Sequence, residues 1–502
     1  MSAKEQHDDK APSTRYDSVD GFRAIVHVSL VALHAAMLTS GHLPSEGEVW
    51  ETVRKHPVYT WFQAGGTQVD IMFMLSGYLL VDKLLNDANG SRPSASVAEF
   101  TVRRMLRFIP ALLAVSLLGL LVGDVWDGAE KRNEVPALGR ILSAAGFVMN
   151  YLPPAYVGSF TLSLFWSCCV DLQAGMLIVL LVGIVRSLTF DNNSSSSPSN
   201  ALALAYRLRW LFLALTAASV AIRAALFEVN TLNLFKLGQY SHFGLLMTDL
   251  SYGWISDTYG HVWLTENTAV EMAQGYLVSM YNPTHTRIGP VFVGAVVACN
   301  VFLAWRQPPP RATVLGRIVA WLATLQALAV LVVPCLPPAD DVPVIGQHIA
   351  TAALRTFAAC AAGLLLYRAR VPPSHAWHWG GLEALLSLRA FRPVAVLSYC
   401  SYLVHFRILM ECNFQRPVRR FLLALPALWH RVDCSLAAAG KLSLAQAAQC
   451  EIEYIPRLFV LGLCSSLLLS LVLYNLVEKP AADALSAWWK PAGIRAALKK
   501  GE

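Results

Sequence analysis

Apolar residues run in long stretches along most of the chain, separated by shorter polar or charged breaks. A helix needs about 20 mostly apolar residues to cross the hydrocarbon core of a bilayer. On that measure spans fall near 20–41, 65–86, 105–125, 162–186, 206–227, 286–305, 314–335, 345–367, 391–411 and 455–477. These runs are too long for strands, and no alternation of apolar with polar positions suggests a barrel. A shorter apolar stretch at 137–149 predicts a re-entrant or interfacial helix. The pattern therefore predicts an all-α fold, a polytopic transmembrane helical bundle of about 10 spans.

An even number of spans puts both termini on one side of the membrane. Short loops decide which, because cytoplasmic loops collect Lys and Arg. With a cytoplasmic N-terminus, the inner segments hold Lys83, Arg103, Arg104, Arg107, Arg186, Arg207, Arg306, Arg317, Arg368 and Arg370, whereas the outer 336–344 loop holds no Lys or Arg. The 412–454 outer loop runs against the trend, with Arg416, Arg419, Arg420 and Arg431. The expected organisation is a cytoplasmic polar tail over 1–18, a membrane domain over 19–482 and a cytoplasmic basic tail over 483–502. The first apolar run reads as an uncleaved span. The outer 228–285 segment, rich in Tyr, Trp and Gly, is long for a plain loop and predicts a cap over the outer mouth.

Composition agrees. Of 502 residues, 55% are hydrophobic and only 15% charged, with a net charge of +7. A soluble domain carries about 25% charged residues, so this chain lacks the charge to coat a water-facing surface. No basic block is interleaved with aromatics, which argues against a nucleic-acid partner. The ten cysteines include no C-x-x-C or Cys/His cluster that suggests a metal site. Cys434 and Cys450 lie in a polar loop, where a disulfide in an oxidising compartment and two separate thiols are both open readings.

Charged groups inside a bilayer are rare and face a bundle interior or a wet cavity. In DGFRAIVHVSLVALHA, Arg23 precedes His34 by eleven residues, with His27 between them. Eleven residues make about three helical turns, so the two project from nearly one face, about 16 Å apart along the axis. Such a stripe suits a route for an anionic group that ends at a proton-transferring imidazole. A snorkelling Arg23 and a His34 bonded within the bundle are the structural alternative. Asp70 begins the second span, and Ser76-Gly77 lies within it, where Gly77 permits close helix packing. Arg104 and Arg107, three apart, share a face at the start of the third span. They suit phosphate oxygens, or simply anchor the span on the inside. Asp171 and Gln173 lie inside the fourth span beside Trp166 and Ser167, and no base adjoins Ser167 in sequence. Arg287, Arg355, His405 and Glu478 add polar groups near other span ends.

Together these islands resemble acyltransferase family 3, the integral-membrane acyltransferases, and especially its eukaryotic, nose-resistant-to-fluoxetine-like branch. The family's Arg-x10-His motif matches Arg23 and His34. Its Val-Asp-x-Phe-Phe-x-Leu-Ser-Gly motif resembles Val69-Asp70 through Ser76-Gly77. Its Arg-x-x-Arg-x-x-Pro motif fits Arg104, Arg107 and Pro110, and its Trp-Ser-Leu-Ser-Val-Glu-x-Gln motif resembles Trp166 to Gln173. Its late Ser-Tyr-x-x-Tyr-Leu-x-His and Glu-x-Pro motifs match Ser398 to His405 and Glu478 with Pro480. TRIGPVFVG at 286–294 is similar to the eukaryotic branch, whereas Cys168 and Cys169 stand where Leu and Ser are usual.

The resemblance implies transfer of an acyl group, often acetyl, from cytosolic acyl-CoA to an acceptor hydroxyl on a lipid, glycan or small molecule. Membrane lipids surround the chain, and no metal is implied. Arg104 and Arg107, with Arg23, would hold the CoA phosphates. His34 would act as general base or carry the acyl group, and Asp70 or Asp171 would orient His34 or the acceptor. Ser76, Trp166, Gln173, Arg287, His405 and Glu478 would line the cavity. The competing reading is a lipid or small-molecule transporter that uses the same polar path. The chain lacks the paired, helix-broken halves that such transporters carry.

Overall fold

A computed structural model describes residues 17–40, 48–63, 67–88, 97–121, 137–152, 163–189, 198–234, 283–308, 313–332, 344–414, 418, 421–422 and 443–488. Regular structure among them is entirely helical. Helix α1 spans Asp17–Ser40, and the short α2 (Glu48–Lys55) and α3 (Pro57–Gln63) follow it. Then come α4 (Gln68–Ala88), α5 (Val97–Leu121), α6 (Ala137–Ala145), α7 (Trp166–Thr189) and α8 (Pro198–Leu234). The second half contributes α9 (Thr284–Arg306), α10 (Val314–Val332), α11 (Val344–Arg370), α12 (Gly380–Leu386), α13 (Phe391–Phe414), α14 (Leu444–Leu473) and α15 (Lys479–Trp488).

Each of the ten expected spans falls on one of these helices. Seven, on α1, α7, α8, α9, α10, α13 and α14, are long and apolar enough to cross a membrane. The protein is thus a polytopic helical membrane protein. The other three, α4, α5 and α11, carry more charge, including Asp70, Asp82 and Lys83 on α4, and Arg103, Arg104 and Arg107 on α5. Helix α5 starts eight residues before the predicted edge, because its arginines find carboxylates in the bundle: Arg103 pairs with Glu99, and Arg104 with Asp171. A paired charge does not have to end a helix at the membrane boundary.

Helix α9 lies at the centre and is buried along most of its length. It packs against α4, α7, α8 and α11. Its approach to α4 is so close that only glycine fits. A Cβ on Gly294 would sit 1.8 Å from the Met74 carbonyl oxygen, and one on Gly77 would sit 2.0 Å from that of Val291. Small residues at such crossings let backbones touch where lipid offers no hydrophobic drive to associate. A second layer is formed by α1, α13 and α14, with Val31, Ala35, Leu38, Phe406, Leu409 and Leu458 interlocked. The outward faces of α10 and α14 present Leu315, Leu322, Leu325, Leu468 and Leu471, a surface suited to acyl chains rather than water.

The 137–149 stretch folds as α6 followed by a 3-10 turn, Met149–Tyr151, whose Met149 and Asn150 are fully buried. Phe147 reaches it through a left-handed backbone, φ 54°. At the other end of the chain, α14 begins with a capping box between Ser443 and Gln446. It passes through a π turn, Tyr474–Glu478, into α15. The extra residue of a π turn rotates the helix face, and Glu478 is buried within it. Cys450 in α14 is disulfide-bonded, whereas Cys434 lies outside the described residues. The tails over 1–16 and 489–502 and most of the expected 228–285 cap and 412–454 loop also lie outside them.

The contact of α4 with α9 sets a first test. Gly294→Ala forces two backbones apart and should cost about 1–3 kcal/mol or more. Gly183→Ala, with nothing within 4 Å of the new Cβ, should leave stability unchanged. Thermal unfolding in detergent reads both; equal midpoints for the two variants would show that the crossing is loose.

Candidate active site

Three of the polar clusters among the described residues hold the residues singled out from the sequence. The first is a pair of imidazoles. His34 on α1 meets His405 on α13, with Nδ1 to Nε2 at 2.7 Å and the rings stacked with centroids 5.0 Å apart. The other ring nitrogen of His405, Nδ1, lies 3.0 Å from the Ser401 carbonyl oxygen and 2.9 Å from that of Tyr402. His27, about two turns below His34 on α1, is bonded to Ser401 Oγ at 2.8 Å. Ser401 Oγ in turn donates to Ser466 on α14. Tyr402 and Ser167 hydroxyls lie 2.7 Å apart and both donate to the Leu164 carbonyl.

The second cluster gathers arginines and carboxylates from four helical segments, α1, α5, α7 and the π turn. Asp171 on α7 accepts from Arg104 Nε at 2.9 Å and Nη2 at 2.5 Å, and from the Ser76 hydroxyl. Arg104 also donates to Ser76 Oγ at 3.2 Å. One turn along α5, Arg107 lies 3.8 Å from Glu478 of the π turn and keeps 48% of its side chain exposed. Glu478 also accepts from the Cys400 thiol at 3.1 Å. Arg23 stands at the open end of α1, 3.8 Å from Asp20. Three arginines, Arg23, Arg104 and Arg107, face three carboxylates, Asp20, Asp171 and Glu478, and Arg107 is the most exposed of the six, so it is the guanidinium best placed to meet an anion.

The third cluster is fully buried. Asp70 on α4 accepts from Arg287 Nη1 at 2.8 and 2.9 Å and from Arg355 Nη1 at 2.7 Å. The Trp166 ring covers the Arg287 guanidinium at 5.2 Å. Gln173 on α7, Asn150 of the 3-10 turn and Thr284 on α9 bond one another, and Gln173 donates to the Phe147 carbonyl at 2.7 Å.

The family model described as an acyltransferase domain, of the acyltransferase 3 type, matches residues 16–475, nearly the whole membrane bundle. The chain belongs to the acyltransferase 3 family. A stretch of 105 residues, 20% of the chain, is 30% identical to the peptidoglycan O-acetyltransferase OatA of Listeria monocytogenes. That match spans 13% of the OatA length. No solved structure matches the chain at a significant level.

With the acyltransferase 3 family established, the sequence-derived residues can be placed. Arg23, Arg104, Arg107, Asp171, Ser76 and Glu478 gather around the open end, and His34 joins His405 deeper in. The resemblance implied that Asp70 or Asp171 orients His34 or the acceptor. Neither Asp70 nor Asp171 is bonded to His34: Asp70 is saturated by Arg287 and Arg355, and Asp171 by Arg104 and Ser76. The group that touches His34 is a second imidazole. Gln173 is tied into a structural network rather than left facing the cavity. Sequence reasoning did not single out Asn150, Thr284, Cys400 or Ser401. Asn150 and Thr284 carry no period of their own, and Cys400 and Ser401 fall on the unspecified positions of the Ser398–His405 motif, so only packing shows that they face the interior.

Asp70 therefore has a measurable structural task. Asp70→Asn removes the carboxylate that Arg287 and Arg355 share at a position with 0% exposure. Breaking a buried ion pair on one side costs about 3–5 kcal/mol. Asp171→Asn, whose partner Arg104 keeps 27% exposure, should cost less. Unfolding midpoints should rank wild type, Asp171→Asn, Asp70→Asn. An Asp70→Asn variant as stable as wild type would remove Asp70 from the framework.

Proposed function

We propose that this chain transfers an acyl group, acetyl being the simplest case, from acyl-CoA to a hydroxyl on a lipid or glycan acceptor. The observation that carries the reading is the stripe on α1: Arg23 at the open end among arginines, and His34 buried with its imidazole turned toward α13 rather than lipid. Membership in an acyltransferase family supports the reaction class. The name of the OatA relative, an O-acetyltransferase acting on peptidoglycan, supports a hydroxyl acceptor and favours a glycan among the options. TRIGPVFVG at 286–294 and Asp at 171 favour the eukaryotic branch.

In this reading Arg107 and Arg23, the less committed guanidiniums, bind the CoA phosphates, while Arg104 is held by Asp171. His34 takes the proton of the acceptor hydroxyl as the oxygen bonds to the thioester carbon. The carbon–sulfur bond breaks, and His34 returns the proton to the CoA thiolate. A short-lived acyl-imidazole on His34 would divide the same transfer into two steps.

Purified protein in lipid nanodiscs, given acetyl-CoA with a panel of hydroxyl-bearing lipids and glycans, should release free CoA with an acceptor that becomes acetylated. His34→Ala should reduce turnover by about 10²–10⁴-fold while the protein stays folded, the range of a lost general base. Arg107→Ala should chiefly raise the apparent KM for acetyl-CoA. Unchanged turnover in His34→Ala would remove the imidazole from the reaction. Uptake of an unmodified lipid without CoA release would favour transport.

A further inference from the structure

The contacts of His405 determine more than the position of His34. His405 Nδ1 faces two backbone carbonyl oxygens, from Ser401 and Tyr402, at 3.0 and 2.9 Å. Carbonyl oxygens only accept, so this nitrogen carries a hydrogen. Among the described residues no carboxylate is bonded to either ring, and His405 is fully buried. An imidazolium there would be a buried charge without a counter-charge, so the neutral ring is the resting form. A neutral His405 with hydrogen on Nδ1 has a bare Nε2, which can only accept. The 2.7 Å contact is then a hydrogen bond donated by His34 Nδ1–H to His405 Nε2. The remaining nitrogen of His34, Nε2, is left with its lone pair. No described group bonds it, and the His34 side of the pair keeps 8% exposure.

Resting on the acyl-transfer reading, we propose that His405 is a positioning residue that fixes His34 in the Nδ1–H tautomer and so aims the His34 Nε2 lone pair at the acceptor hydroxyl. Which imidazole nitrogen is basic is set by the bond the other one makes. In hydrolases with a catalytic triad a carboxylate does this for the base; here an imidazole anchored by main-chain carbonyls of its own helix does it. The proton balance is closed. The acceptor proton goes to His34 Nε2 and leaves again to the CoA thiolate, while the Nδ1–H bond to His405 persists throughout. A neutral orienting group has a consequence for the bundle: no buried carboxylate is needed beside His34, and Asp70 and Asp171 are free to bind arginines.

The test joins spectroscopy to kinetics. Full-length protein labelled with 15N-histidine, assigned with His34→Ala, should show His34 protonated at Nδ1 and bare at Nε2, coupled across the hydrogen bond to His405. A His34 protonated at Nε2 at rest would overturn the proposal, whether or not the protein turns over acetyl-CoA. In the CoA-release assay, His405→Leu should lower kcat by about 10²–10⁴-fold with KM for acetyl-CoA unchanged. His405→Gln, whose side-chain oxygen can accept the Nδ1–H, should recover a large part of that loss. Equal losses in folded Leu and Gln variants, or no loss in either, would assign His405 to packing. Absence of CoA release from wild type together with the expected tautomer would overturn the acyl-transfer reading and leave the pairing intact.

Discussion

Every polar group in the middle of this bundle must find its partner inside the protein, because the bilayer offers none. The Asp70 carboxylate shows how strictly that holds. With Arg287 and Arg355 it joins α4, α9 and α11 at a fully buried point, and the Trp166 ring covers the Arg287 guanidinium. The close glycine crossing of α4 with α9 brings these groups within reach, and the ion cluster in turn locks that crossing. Helix α4 is thereby fixed, and Ser76, two turns further along, is held against Asp171 and Arg104.

From this frame the site follows as a gradient of polarity along α1. At one end Arg23 stands with Arg104 and Arg107 where side chains keep partial exposure. About 16 Å deeper, by helical rise, His34 and His405 share a dry hydrogen bond lined by Phe406. Between them Tyr399, Cys400, Ser401 and Tyr402 form a polar turn on α13, bonded to α5, the π turn, α1 and the Leu164 carbonyl just before α7. In the proposed reaction the charged end holds a phosphorylated donor while chemistry occurs where water is scarce, and hydrolysis of the thioester is disfavoured by that separation.

The bundle was largely legible in the sequence because span length is set by bilayer thickness, and each of the ten apolar runs became a helix. Edges were read less well where charge and helix coincide. The arginines of α5 mark a membrane boundary by composition, yet Arg104 and Arg107 find carboxylate partners on other elements, Asp171 and Glu478, while Arg103 pairs with Glu99 along α5 itself. The Arg23–His34 spacing puts both residues on one face of α1, since helical period alone fixes that. Partner choice was beyond it. Asp70 and Asp171 are equally plausible neighbours of His34 on paper, and only the packing of α13 against α1 puts His405 there instead. Single polar residues such as Asn150 and Thr284 carry no signal of their own, because one residue in an apolar run has no period.

The central claim is that one continuous polar route joins the arginines to His34. A cryo-electron microscopy structure with a non-transferable thioether analogue of acetyl-CoA tests it most directly. The account predicts phosphates against Arg107 and Arg23, the pantetheine arm along the α1 stripe past His27, and the acyl end beside Nε2 of His34 with room for one hydroxyl between. An analogue whose acyl end lies on another face of α1, or whose phosphates avoid both arginines, would contradict it.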